Sequence, residues 1–225
     1  MLSEDEAAGL AADLVAAAMH AGATAADAMI GISRSRSISV RLGELEDVDR
    51  SESFEVGLRL FDGQRSATVS SASLDRSAFG DLATRALAMA RQAPEDPYAG
   101  LADAALLGDG SGPDLDLFDP SEPDLSDLRA RAIRAEEAAR AVTGVTNSNG
   151  GSAGAGSSLV ALATSTGFAR ALRSSHFSLS ASVVAGEAGA LQRDYAHHSV
   201  RHLADLESPE AIGKRAGDRA VARLD

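Results

Sequence analysis

The sequence predicts an α+β fold in which antiparallel β-sheets, built as meanders, carry about four packed α-helices. Three observations lead there. Residues 26–72 and 145–200 alternate apolar with polar side chains, the period of a strand with one covered face. Four other stretches repeat apolar residues at steps of three and four between recognisable caps. The chain is 44% hydrophobic but only 4% aromatic and has no Trp, so its core must be Ala, Leu, Val and Ile at close range, which helix-on-sheet packing accommodates.

Taken in order, Ser3 and Glu6 form a capping-box pattern, Leu10, Leu14, Val15 and Ala18 make an apolar stripe, and Gly22 is placed to end a helix over 4–21. The segments AMIGISRSRSISVRL, ELEDVDR, SFEVGLRLF and RSATVSSA then read as four or five strands, punctuated by Gly43 and by Asp62–Gln64. A second helix is expected from Asp75 to Gln92, with Pro94 as its stop, and a third from about Leu125 to Val142, closed by Gly144. Between them, residues 94–124 hold five of the six prolines and read as a surface loop. VTNSNGGSAG, SLVALATS, ARALRSSHFSLSASVVA and ALQRDYAHHSV predict four more strands, with turns at 155–157, 166–167 and 186–189. Ser208–Pro209 opens a last helix carrying Ile212, Ala216, Ala220 and Leu224. That helix has no closing cap before Asp225, which predicts a piece of a longer protein; the whole of 1–225 is read as one N-terminal α+β domain.

The net charge is −12, and ten acids with no Lys or Arg lie between Arg91 and Arg129 (Glu95, Asp96, Asp103, Asp109, Asp114, Asp116, Asp119, Glu122, Asp124 and Asp127). Elsewhere 23 acids face 21 bases. A duplex-binding protein needs a basic face to neutralise phosphates, so no nucleic-acid partner is expected. The absence of Cys excludes disulfides, thiolate metal sites and a Cys nucleophile. The acidic start MLSEDEAAGL is unlike a secretory signal, and its apolar face is broken by Asp13 and His20, so the reading is a soluble cytoplasmic protein with no membrane partner.

RDYAHHSVRH holds three of the five histidines. On a helix, His198 and His202 would share a face and could hold zinc. On the expected strand they lie about 13 Å apart at ~3.3 Å per residue, and His197 points the other way. These three are therefore rejected as metal ligands. NGGSAGAGSS fits neither phosphate-binding glycine pattern, and the only lysine is Lys214. DLDLFDPSEPDL has Asp114 and Asp116 at calcium-loop spacing, but Phe118 stands at the third ligand position and Asp119 where glycine is required. No serine-elbow, zinc-protease or paired-carboxylate pattern is present. No catalytic, cofactor-binding or metal residue is assigned.

Four segments carry a family likeness: RSESFEVGLRLFDGQRSATVSS, APEDPYAGLAD, VTNSNGGSAGAGSSLVALATSTGF and IGKRAGDRAVARL. Over nearly all 225 residues, and in order, the chain resembles the N-terminal half of PmbA/TldE proteins in the TldD/PmbA family, the modulators of DNA gyrase. The resemblance implies a subunit of a cytoplasmic zinc-dependent protease that trims or degrades unfolded peptides. It implies a TldD-type protein as partner, a dimer in the full-length form, and zinc held only by that partner or another catalytic subunit. The family's zinc ligands belong to the C-terminal half of TldD, so none carries over to a position here. Two other readings stand beside this one: the N-terminal half of a catalytic TldD-type metallopeptidase, and a free-standing module that binds peptides along a sheet edge.

Overall fold

The computed structural model describes residues 2–108, 113–187 and 189–224. Asp109 of the acidic run, residue 188 of the expected turn and the terminal Asp225 lie outside them. Among the described residues are four α-helices: α1 (Glu4–Ala21), α2 (Phe79–Gln92), α3 (Leu125–Arg140) and α4 (Pro209–Val221). Six strands, β1 (Ala25–Arg41), β2 (Glu44–Asp62), β3 (Arg65–Ser71), β4 (Val145–Thr164), β5 (Ala169–Ala185) and β6 (Gln192–Val200), form one sheet in the order β3-β2-β1-β4-β5-β6. That is two three-stranded meanders joined through β1 and β4. Gly154 lies beside Ser37 and Gly156 beside Ser35, so β1 and β4 also run antiparallel. The α+β class is as the periodicities require.

The chain forms two compact units. The first comprises residues 1–33, 52–116 and 158–173, and the second 34–51, 117–157 and 174–225. In the first, α1 and α2 cover the strands with Leu10, Leu14, Leu82 and Leu87 packed on Ile30, Ile32, Leu58, Leu60 and Leu159. In the second, α3 and α4 bring Leu128, Ala132, Ala135, Ile212 and Ala216 onto Val40, Phe177, Leu179 and Val183. Helix α1 begins with the expected capping box, Ser3 Oγ accepting from Glu6 N at 3.2 Å while Glu6 Oε2 accepts from Ser3 N at 2.7 Å. Asp124 and Asp127 form a second box on α3, and Ser208 with Pro209 opens α4.

Alanine and glycine set the spacing of the second unit. A Cβ on Gly213 would stand 2.1 Å from the Ala135 carbonyl oxygen, and one on Gly217 would stand 2.5 Å from Val142, so α3 and α4 cross nearly backbone to backbone. A Cβ on Gly151 would stand 2.3 Å from the Ala132 carbonyl oxygen, so α3 rests on β4 in the same way.

Four details depart from the sequence reading. The stretch 26–72 makes three strands, not four or five, because ELEDVDR and SFEVGLRLF are one 19-residue strand. Residues 155–157 make no turn, so three strands rather than four follow α3; the glycine run is the interior of β4, a 20-residue strand. Burial along it passes from Ser148 and Gly150 to Gly151, Ala153 and Ala155, the change of parity a bulge produces, and Gly150 takes the positive φ of 107°. Asp75 caps a 3₁₀ turn over Arg76–Ala78 instead of α2, which starts at Phe79. Leu224 lies beyond the end of α4.

Candidate functional site

The histidines are dispersed by the strand that carries them. In β6, His197 pairs with Ser180 and His198 with Leu179 of β5, so the two rings face opposite sides of the sheet. On the covered side, His198 Nδ1 accepts from Glu207 N at 3.2 Å and lies 3.7 Å from Glu207 Oε1. Arg215 clamps that carboxylate at 2.9 and 3.1 Å. His202 lies past the end of β6, at the cap of a 3₁₀ turn, so strand alternation does not extend to it. Among the described residues no group of three His, Asp or Glu side chains is arranged to hold a metal ion.

The carboxyls with displaced pKa values serve structure. Asp119 is held below its ordinary value first by the Ser121 side chain and then by the Leu203 and Ser121 amides. The Tyr195 amide lowers Asp194, Arg215 lowers Glu207, and Arg134 lowers Glu210. Each is fixed as an anion by donors already in place, which suits a structural contact and not a general acid.

The side of the second unit's strands away from α3 and α4 is rich in hydroxyls. Gly154 is flanked by Ser178 and Ser37, and Gly156 by Ser35. Ser178, Ser180 and Ser182 stand opposite Ser199, His197 and Tyr195. Tyr195 stacks on His197 with ring centres 5.9 Å apart, and Ser199 Oγ lies 3.2 Å from His176 Nδ1. That last contact has the distance of a nucleophile–base pair, but among the described residues no carboxylate orients His176. This side presents serine hydroxyls, the Tyr195 hydroxyl and imidazole nitrogens as hydrogen-bonding groups.

One site residue escaped the sequence reading. Glu136 of α3 is fully buried, and its two oxygens accept the amides of Leu42 at 2.7 Å and Gly43 at 2.9 Å. It thereby holds the β1–β2 turn, in which both residues have positive φ, 53° and 82°. The signal was a charge on the apolar stripe Leu128, Ala132, Ala135, Ala139.

Residues 118–224 match the domain described as PmbA/TldA metallopeptidase central domain, and residues 26–90 match PmbA/TldA metallopeptidase domain 1. The chain belongs to the PmbA/TldD family. It is 35% identical over 191 residues to Metalloprotease PmbA of Escherichia coli O157:H7, covering 84% of this chain and 42% of that protein. It is 32% identical over 209 residues to the Metalloprotease PmbA homolog of Haemophilus influenzae, covering 92% and 46%. Two crystal structures share the fold. One is of a modulator of DNA gyrase from Bacteroides thetaiotaomicron, with TM-score 0.88, 24% identity and coverage of 98% of this chain and 50% of that one. The other is of TldE from Thermococcus kodakarensis, with TM-score 0.78, 16% identity and coverage of 94% and 47%. This PmbA/TldD chain thus spans about half the length of the relatives it matches. Among the described residues no helix is long and apolar enough to cross a membrane.

Proposed function

We propose that the chain is the N-terminal portion of a PmbA/TldE-like subunit, working with a TldD-type subunit in a zinc-dependent peptidase that acts on unfolded peptides in the cytoplasm. The observation that carries this reading is the 35% identity, over 84% of the chain, to a protein named Metalloprotease PmbA. Metal-assisted peptide hydrolysis needs a Lewis acid with an open coordination position and a base beside it. His197, His198 and His202 are too dispersed to supply the first, so the reading assigns zinc to the partner and a non-catalytic role to this half.

The supporting feature is sheet. Long strands with a hydroxyl-rich side offer backbone and side-chain hydrogen bonds that do not depend on a substrate's sequence. An unfolded peptide has free amides and carbonyls to pair, whereas a folded one has already used them. Such a surface selects for disorder.

The test assays an unstructured peptide with the full-length parent alone, the TldD-type partner alone and both, each with and without a chelator. Cleavage only by the pair, abolished by chelator, is expected. Chelator-sensitive cleavage by the parent alone would defeat the non-catalytic role, and full partner activity without the parent would defeat the two-subunit reading.

A further inference from the structure

The first half of β2 is left uncovered. Every residue from Glu44 to Glu55 is exposed, although all twelve are strand. β1 lies along one side of β2, and on the other β3 pairs only from Val56 onward. Within the second unit this leaves Glu44–Ser51 with one main-chain edge occupied and the other open. Every second residue along such an edge turns its N–H and C=O outward, ready to pair with another extended chain.

The side chains along that edge decide which chain. Glu44, Glu46, Asp47 and Asp49 stand against the single Arg50. By alternation, Glu44 and Glu46 project to one face and Asp47 and Asp49 to the other. Charges on an edge strand commonly guard against edge-to-edge pairing. Here the guard works by sign. A second copy would set acid against acid across the new ladder, which opposes pairing, whereas a strand carrying cations would form cross-strand ion pairs. The acids on each face repeat about every 6.8 Å, the two-residue step of any antiparallel strand laid beside them. Leu45 and Val48, exposed by 48% and 43%, add one apolar contact to each face.

We propose that the open edge of β2 at Glu44–Ser51 takes up an extended cationic segment of an unfolded polypeptide by strand addition. The proposal rests on the reading that the protein handles unfolded peptides, and it narrows their class. Main-chain bonds hold any extended segment; the acidic edge ranks segments by charge.

The test uses the 225-residue chain and a fluorescent octapeptide of alternating Lys and Thr, followed by anisotropy at low ionic strength. Saturable binding is expected, with none for the matching Glu–Thr peptide. The variant E44K/E46K/D47K/D49K should bind the Lys–Thr peptide about tenfold more weakly or worse and should take up the Glu–Thr peptide instead. N-methylation of alternate amides, which removes the ladder donors but keeps the charge, should also weaken binding about tenfold. In the unaltered chain, the peptide should slow amide exchange within Glu44–Ser51, which keeps the test decisive if the quadruple variant does not fold. Equal affinity for the methylated peptide, unchanged affinity in a folded charge-reversed variant, protection outside Glu44–Ser51, or no binding would each overturn the proposal. No cleavage and no partner enter this assay. A negative here beside partner-dependent cleavage removes only the edge; binding here without such cleavage removes only the two-subunit reading.

Discussion

Replacing Glu136 by Ala tests whether a buried carboxylate holds the β1–β2 turn. The wild-type side chain is fully buried and accepts two amides at 2.7 and 2.9 Å. A buried donor left without its acceptor costs about 1–3 kcal/mol, less where the donor can reach water. Leu42 is half exposed, so its amide falls at the low end of that range. The two amides together cost about 2–4 kcal/mol, a large part of the ~5–15 kcal/mol that holds a domain together. Glu136→Gln keeps one acceptor oxygen but turns an NH₂ toward the second amide, so it should cost about 1–2 kcal/mol. Urea unfolding of the three proteins gives the order wild type, Gln, Ala. Native-state hydrogen exchange should show the Leu42 and Gly43 amides losing protection before the rest of the sheet. If Ala costs less than about 0.5 kcal/mol, or Gln costs as much as Ala, the carboxylate is not the clamp the geometry implies.

Gly213→Ala places a Cβ 2.1 Å from the Ala135 carbonyl oxygen, so α3 and α4 must separate; an unfolding free energy lowered by about 1–3 kcal/mol in urea titrations is expected, and an unchanged one contradicts the close crossing. The folded-state pKa values of Asp119, Asp194 and Glu207 lie below their unfolded ones, so their stabilisation is full above about pH 4.5 and is lost as pH falls through the lowered values. Urea midpoints should therefore be flat from about pH 6 to 5 and decline below about 4.5, with Glu207→Gln reducing the decline.

The helices were legible because their signals are local. Ser3 with Glu6, Gly22, and Ser208 with Pro209 each satisfy or end a helix within a turn of where they stand. The strand interruptions were misread because their causes lie far along the chain. Gly151 is glycine because the Ala132 carbonyl presses on it, a reason invisible in NGGSAGAGSS itself. ELEDVDR and SFEVGLRLF read as separate segments although they are one strand, whose residues 44–55 are all exposed and whose buried positions begin only at Val56. Of the site features, the dispersal of His197 and His198 followed from strand parity. Glu136 needed the turn at Leu42–Gly43, some 94 residues away, before its burial made sense.

The division of the chain into two units has a consequence for biosynthesis. The first unit is written in three instalments, residues 1–33, 52–116 and 158–173. Leu14 leaves the ribosome about 145 residues ahead of Leu159, with which it shares a core. At about 5–20 residues per second, α1 waits roughly 7–30 s for the strand that completes its cluster. During that interval Leu10, Leu14 and Val15 are open to chaperones and to other nascent chains. A ribosome that stalls after residue 116 has made α1, α2 and the whole of β1, β2 and β3, with no β4 for them to close on.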